Sequence, residues 1–390
     1  MTCRHFGTCG GCSLQDIPYE EQLKTKQRQV QSIFKSIGSS EDSIKQITPS
    51  PAQQFYRNKM EFVFGEENGK PLLGLHKKGQ YNEVVDLQEC TAFSSKTGAV
   101  LEATRKWAVE NKIPVYNMKK QAGILRYLVL REAKSSGQLM VNLIVSITPY
   151  VFEYDFKKKA LQLVKRLTDS GINLACMTVG LNDSKSGVAL AEKNELIYGN
   201  AFIEEKIGKI NYKIFPYTFF QTNSYLCEKL YDTINEFAQA QKGTTAFDLF
   251  CGSGGIALYI SEVFEKIIGI ELNSKAIDNA VVNAKLNNIS NCEFVCERVE
   301  NYLKKFEISK FKVKLSTVVI DPPRAGLAKK SIQSIIELNP ANIIYVSCKL
   351  DSIINDLQSF LQYYKIVSVQ PFDMFPHTPH LELIVKLIHK

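Results

Sequence analysis

No apolar run in the 390 residues approaches the roughly 18 that a membrane-crossing helix requires. That lack excludes a helical membrane protein. The opening residues, Met1-Thr2-Cys3-Arg4-His5-Phe6-Gly7, carry no basic segment followed by an apolar one, so the sequence predicts no secretion signal and a cytoplasmic protein. Internal repeats and low-complexity linkers are missing as well, which speaks against a repeat array. Absent too is the G-x-G-x-x-G spacing that cradles a pyrophosphate, and this disfavours a nicotinamide oxidoreductase.

What is present is an ordinary globular composition, 45% apolar and 23% charged, in a chain longer than one hydrophobic core usually serves. Two domains, or one large domain with a smaller module, are expected. Lys and Arg total 48 against 40 for Asp and Glu, a net +8 that suits a polyanionic partner. Ten cysteines in a reducing compartment are expected to be ligands, nucleophiles or buried apolar groups rather than disulfides.

Residues 18–37 carry Leu23, Val30, Ile33, Phe34 and Ile37 at helical spacing, with Gly38 placed to stop the helix. The period then becomes that of strands. Segments 59–64 and 72–76 flank the turn signal Asn68-Gly69, and 124–131 and 139–147 flank Ser135-Ser136-Gly137. The chain thus divides into a cysteine-bearing segment with its leading helix (1–40), a mainly antiparallel β module with inserted helices, one over 97–111 (41–215), and a third part (216–390). In that third part apolar runs at 245–250, 266–270, 292–296, 317–320 and 342–347 alternate with helical segments, whereas 364–371 and 381–388 have no helix between them. Five β/α units closing on an antiparallel hairpin predict a seven-stranded, Rossmann-like α/β domain in the order of AdoMet-dependent methyltransferases.

The first of these strands ends in Asp248-Leu249-Phe250-Cys251-Gly252-Ser253-Gly254-Gly255, where glycines such as Gly252 let a ligand approach the backbone. Glu271 ends the next strand 23 residues after Asp248, where a carboxylate takes the ribose hydroxyls of a nucleoside cofactor. A tight turn and a solvated Glu would be the bland reading of both. The fourth strand argues against it, because Asp321-Pro322-Pro323-Arg324-Ala325-Gly326 fixes a carboxylate at the sheet edge where open α/β sheets bind ligands. Amine-methylating enzymes place an aromatic after a similar loop; Arg324 here suits a phosphate or loop closure, so an exocyclic amine is not the expected target.

The fifth strand delivers Cys348 to the same edge, followed by Lys349. A lone cysteine is often only a small buried residue, but beside a cation and a helix start its thiol is expected below its free pKa of about 8.5, as a nucleophile. Glu382, beyond Phe372-Asp373-Met374-Phe375-Pro376-His377-Thr378-Pro379-His380-Leu381, reads either as an edge cap or as a base beside that nucleophile. A cysteine in a methyl-transfer site suits C5 of a pyrimidine: thiolate addition at C6 makes C5 enolate-like, C5 takes the methyl, and a base removes the C5 proton before the cysteine is eliminated. The target must be flipped out or presented in a loop, which fits the β module as a nucleic-acid clamp.

Cys3, Cys9 and Cys12 surround Gly10-Gly11, with Cys90 as a distant fourth candidate and His5 a bystander. Zinc prefers two separated pairs, whereas three local thiolates plus a remote one suit a [4Fe-4S] cluster; spacing alone leaves cluster, zinc and no metal open.

Together, Phe219-Phe220-Gln221-Thr222-Asn223, Asp248-Leu249-Phe250-Cys251-Gly252, the Asp321 loop, Ser347-Cys348 and the Phe372 loop with Glu382 resemble the RNA (uracil-C5)-methyltransferases across the whole chain. The resemblance implies Cys348 as nucleophile, Glu382 as general base, Gln221, Phe250, Glu271 and Asp321 around AdoMet and the uracil, and a [4Fe-4S] cluster on Cys3, Cys9, Cys12 and Cys90. Asp321 is the second candidate for the base. Starting at the cysteine segment without an OB-like TRAM domain, and carrying Gly74-Leu75-His76-Lys77-Lys78-Gly79 and Pro114-Val115-Tyr116-Asn117, the chain is most similar to the RumB-type enzymes, which methylate a uridine of 23S ribosomal RNA. It departs from many members at Lys349-Leu350, where they have Asn-Pro, and from some at Arg298, where they place an Asn near the cofactor. The same chemistry on tRNA or another rRNA uridine is the nearest alternative, and a non-catalytic Fe-S RNA-binding protein a distant one. RNA is the expected partner; neither a membrane nor an obligate protein partner is implied.

Overall fold

The computed structural model describes residues 2–146, 156–185, 187–238, 244–305 and 314–390. At Asn68-Gly69 both residues take positive φ, 50° and 74°, a turn whose twist matches that of paired strands. It folds β1 (Lys59–Glu67) back on β2 (Lys70–Lys77), which continues into β3 (Gln80–Asp86). On the other flank of β1 lie β4 (Leu125–Glu132) and β5 (Leu139–Val145); Ile147, expected to extend that strand, lies outside the described residues. α2 (Thr97–Glu110) and α3 (Phe156–Asp169) cover one face, burying Val100, Trp107, Leu163 and Leu167 against Leu128 and Leu143. α3 also carries the chain to β6 (Leu174–Leu181), parallel to β5, and β7 (Lys193–Gly199) closes the sheet. The order is β3-β2-β1-β4-β5-β6-β7, antiparallel except between β5 and β6. The mainly antiparallel expectation thus holds with one parallel pairing.

In the second sheet β10 (Thr244–Leu249), β11 (Lys266–Glu271), β12 (Cys292–Cys296), β13 (Lys314–Ile320) and β14 (Asn342–Ser347) run parallel. The terminal hairpin of β15 (Tyr364–Phe372) and β16 (Glu382–His389) inserts β16 antiparallel to β14, giving the order β12-β11-β10-β13-β14-β16-β15. Strand order reverses between β10 and β13, so a crevice opens at their carboxyl ends.

Side chains alternate between the two faces of this sheet. Ala246, Ile267, Val319 and Ile344 meet α4 (Ser224–Ala238), α5 (Gly255–Tyr259) and α6 (Ser274–Leu286), whereas Phe247, Ile268, Val318 and Tyr345 meet α7 (Val299–Lys305), α8 (Lys329–Leu338) and α9 (Leu350–Phe360). Two earlier segments join these layers. α1 (Tyr19–Ser36) buries Val30 and Phe34 with Phe247 and Leu357. The hairpin of β8 (Ile203–Ile207) and β9 (Ile210–Ile214) buries all four of its terminal isoleucines and Tyr212 in the α4–α6 layer. Both precede residue 216 in the chain, yet their apolar faces pack on the C-terminal core.

Candidate active site

Because β13 and β14 are neighbours and β16 runs back along β14, Asp321, Cys348 and Glu382 meet at one end of the sheet. In register, Ser347 faces Leu383, one residue from both Cys348 and Glu382. Gln221 Nε2 donates to Asp321 Oδ2 at 3.3 Å. Burial pushes the Asp321 carboxyl up to about 7. Burial, and next the nearby Asp321, hold Glu382 well above the usual carboxylate range, with Arg324 pulling the other way. The Cys348 thiol is likewise raised, by burial and then by Glu382, while Arg324 opposes this by its charge and a hydrogen bond. This corrects the expectation of a depressed thiol pKa. The reason is that one guanidinium cannot ionise a thiol and two carboxyls at once in a desolvated site.

The cation beside the thiol is Arg324, not Lys349. Lys349 occupies the cap position of α9, its amide donating to Ser347 Oγ at 3.2 Å, so the departure at Lys349-Leu350 leaves a regular helix start. Arg298, the other departure, is exposed and lies 4.0 Å from Glu300.

Cys348 opens on a cleft of about 850 Å³. One wall is Arg324, Lys349 and His380; the other is Thr25, Arg28 and Gln29 of α1. The α1 wall was not foreseen, although polar residues on the buried side of an otherwise apolar helical stripe signal it. Lys26, buried at 1% exposure, reaches Asp373 Oδ1 at 2.5 Å, and Gln22 contacts His377 through both ends of its amide. These contacts lock α1 to the loop that leads into Glu382.

Along the switch-point crevice, Phe250 takes φ +64°, uncommon for an aromatic, and Gly252 has φ +52° with open space where a side chain would stand. Glu271 faces the loop, accepting from Gly252 N at 3.3 Å and Asn273 N at 2.9 Å. Ser253 Oγ donates to Phe219 O at 3.2 Å, tying the loop to Phe219-Phe220-Gln221. Backbone, Glu271 and Phe250 thus form an open cradle able to hold a nucleoside. Asp248 lies beneath it, accepting from Ala257 N, its carboxyl pushed by burial up to about 8.

Cys3, Cys9, Cys12 and Cys90 line a second cavity, together with Gln15 and Arg57. Among the described residues no three His, Cys, Asp or Glu side chains are grouped as ligands of a metal ion. The thiols are near enough to perturb one another: after burial, Cys9 raises Cys12 to about 11, and Cys12 and Cys9 contribute to the rise of Cys90 to about 12. Gly11 N donates to Cys9 Sγ at 3.3 Å. His5 accepts from Gln88 N through Nε2, a structural role.

A family model described as tRNA (Uracil-5-)-methyltransferase matches residues 18–390. An uncharacterized RNA methyltransferase of Clostridium tetani is 37% identical over 391 residues, covering 100% of this chain and 84% of the relative. Another, from Leptospira interrogans, is 32% identical and covers 98% of this chain and 97% of its own. The crystal structure of Pyrococcus abyssi tRNA (uracil-54, C5)-methyltransferase in complex with S-adenosyl-L-homocysteine is similar with a TM-score of 0.76 at 29% identity, over 97% of this chain and 86% of that one. With sequence match and fold in agreement, the chain belongs to the tRNA (uracil-5-)-methyltransferase family and is an AdoMet-dependent RNA methyltransferase.

Proposed function

We propose that this enzyme methylates C5 of a uridine in RNA through a covalent bond between Cys348 and C6. The convergence of Cys348, Glu382 and Asp321 at one sheet edge, with Arg324 on the thiol, carries the reading. AdoMet supplies the electrophilic methyl group when bound in the cradle of Gln221, Phe250, Gly252, Glu271 and Asp321. Cys348 gives its proton to water in the open cleft and adds to C6 as thiolate, Arg324 stabilising the sulfur's charge before the C–S bond forms, while the C5=C6 electron pair moves onto the uracil carbonyl as enolate. Once C5 is methylated, Glu382 takes the C5 proton, the C6–S bond breaks and the thiolate returns. Burial raises Asp321 to about 7 and holds Glu382 well above the usual carboxylate range, the direction that makes a carboxylate a stronger proton acceptor once it is ionised.

The four cysteines suit a [4Fe-4S] cluster. A single tetrahedral ion with bonds of about 2.3 Å needs converging ligands, whereas thiols spread around a cavity with a backbone amide on sulfur suit a polynuclear cluster. Domain limits of 1–40, 41–215 and 216–390 follow the functional division into cluster segment, RNA-binding module and methyltransferase. For the substrate we favour 23S rRNA, on the motifs at 74–79 and 114–117; the tRNA reading is supported by the family's description and by the Pyrococcus enzyme's named substrate. Incubating purified enzyme with methyl-labelled AdoMet and fractionated RNA from a strain lacking this gene tests both. Labelled 5-methyluridine in 23S rRNA is the expected result, label in tRNA supports the second reading, and label in another nucleoside overturns the chemistry.

A further inference from the structure

Leading into β1, alternate residues turn to opposite sides. Asn58 points inward, donating to Gln221 O at 2.7 Å and Ser224 Oγ at 2.9 Å. Arg57, Lys59 and Glu61 occupy the other side by the same alternation. Lys59 stands directly opposite Arg131 of β4, and like charges in that position destabilise a sheet. Burial, then Arg131, and further Arg57 all pull the Lys59 ammonium below its usual range, so the three cations share one field. Arg131 is 3% exposed. Glu61 is the carboxylate that acts on both Lys59 and Arg131, and it is bonded to Lys59 at 2.6 Å. Arg131 also donates to Thr218 O. Even so, Nε of Arg131 and Nε of Arg57 are buried with no acceptor; Arg57 also borders the cysteine cavity and acts on Cys12, so the deficit left for an incoming anion is that of Arg131 beside Lys59, which costs stability unless an anion completes it.

The location is as telling as the deficit. Thr218 immediately precedes Phe219-Phe220-Gln221, and Arg57 stacks 6.0 Å from the ring centre of Phe375, in the loop carrying His380. Arg57 and Arg324 both act on His380, which lines the Cys348 cleft. A purely structural brace between the domains would need the Arg131–Thr218 bond alone. It would not need three cations gathered with guanidinium donors unused.

We propose that Arg57, Lys59 and Arg131 form a phosphodiester-binding site that grips the RNA backbone beside the flipped target nucleotide. Guanidinium forks match phosphate oxygens, and a buried, pre-placed fork loses little freedom on binding. The assignment rests on the reading of this enzyme as an RNA methyltransferase acting on uridine.

The test measures binding of a short fluorescent oligouridylate to the full chain by anisotropy across a range of NaCl concentrations. Lys59→Gln is expected to weaken binding about tenfold and to make the slope of log K against log salt shallower by about 0.7, the signature of one lost single-strand phosphate contact. Lys59→Arg should restore the slope. In methyl transfer Lys59→Gln should raise the KM for RNA and leave kcat and AdoMet affinity near wild type, which a collapsed fold would not do. Should Lys59→Gln fail to fold, Lys59→Met decides by the same slope. A folded Lys59 variant without the charge and with an unchanged salt slope overturns the site. If slopes change as expected but wild-type enzyme methylates no uridine, the functional reading fails and the phosphate site stands.

Discussion

Cys348 and Glu382 share Arg324 as their counter-cation, and in the proposed reaction their roles separate in time: the sulfur bonds to C6 before the C5 proton leaves. Glu382→Gln is therefore expected to form the protein-RNA adduct and methylate it without releasing it, whereas Cys348→Ala forms none. On a denaturing gel the Gln variant should show a slow band carrying labelled methyl. An adduct that turns over normally in Glu382→Gln would move the base to Asp321. The same carboxyls make stability depend on pH. Asp321 titrates at about 7 in the fold against about 3.9 unfolded, so its contribution is fully present below pH 4 and lost as pH rises through 7. Between pH 6 and pH 8 this lowers stability by about 1 kcal/mol, and Asp321→Asn should narrow that gap in urea unfolding curves. Each group proposed to react was legible in the sequence as a residue type at a strand end, and the fold brings these ends together. The raised thiol was not, because it depends on how many acids share one cation.

At the scale of elements, strands with strict alternation and loops with glycine signals announced themselves. β10 to β16 fall within a few residues of their expected places, because buried parallel strands are short, apolar and bounded by turns. β3 did not announce itself: it is a mostly exposed edge strand held by β2 alone, so no apolar face marks it. Nor did the partnership of α1. Its buried Lys26 meets Asp373 with both side chains at 2% exposure or less, a contact across 347 residues that no local pattern reveals. Removing one partner of such a pair leaves a bare buried charge, so Lys26→Met should cost about 3 to 5 kcal/mol. Adding Asp373→Leu should recover much of the loss. Denaturant unfolding of the single and double variants checks this, and a Lys26→Met protein as stable as wild type would show that α1 can leave the Asp373 loop without penalty.

For the whole molecule, the cysteine segment is joined to the catalytic end through the backbone. Ser13 N and Leu14 N both donate to His377 O at 3.0 Å, directly after Cys12 and within the loop that leads to Glu382. Cys90 belongs to a different stretch of chain, following β3, and Thr91 binds Gln15. A cluster bridging Cys3, Cys9, Cys12 and Cys90 would therefore staple the N-terminal segment to the β module while that segment braces the methyltransferase domain. The spacing of the cysteines made the set visible in the sequence; its link to His377 needed the fold. Protein purified without oxygen is expected to be brown, with about four iron and four sulfide per chain. Cys90→Ser should lose both and raise hydrogen exchange first at residues 3–14, then at 373–381, before methyl transfer is affected. Stoichiometric zinc without sulfide would replace the cluster by a mononuclear site. Unchanged exchange at 373–381 in a cluster-free Cys90→Ser protein would show that the staple ends at the β module and that the brace on the Glu382 loop stands without it.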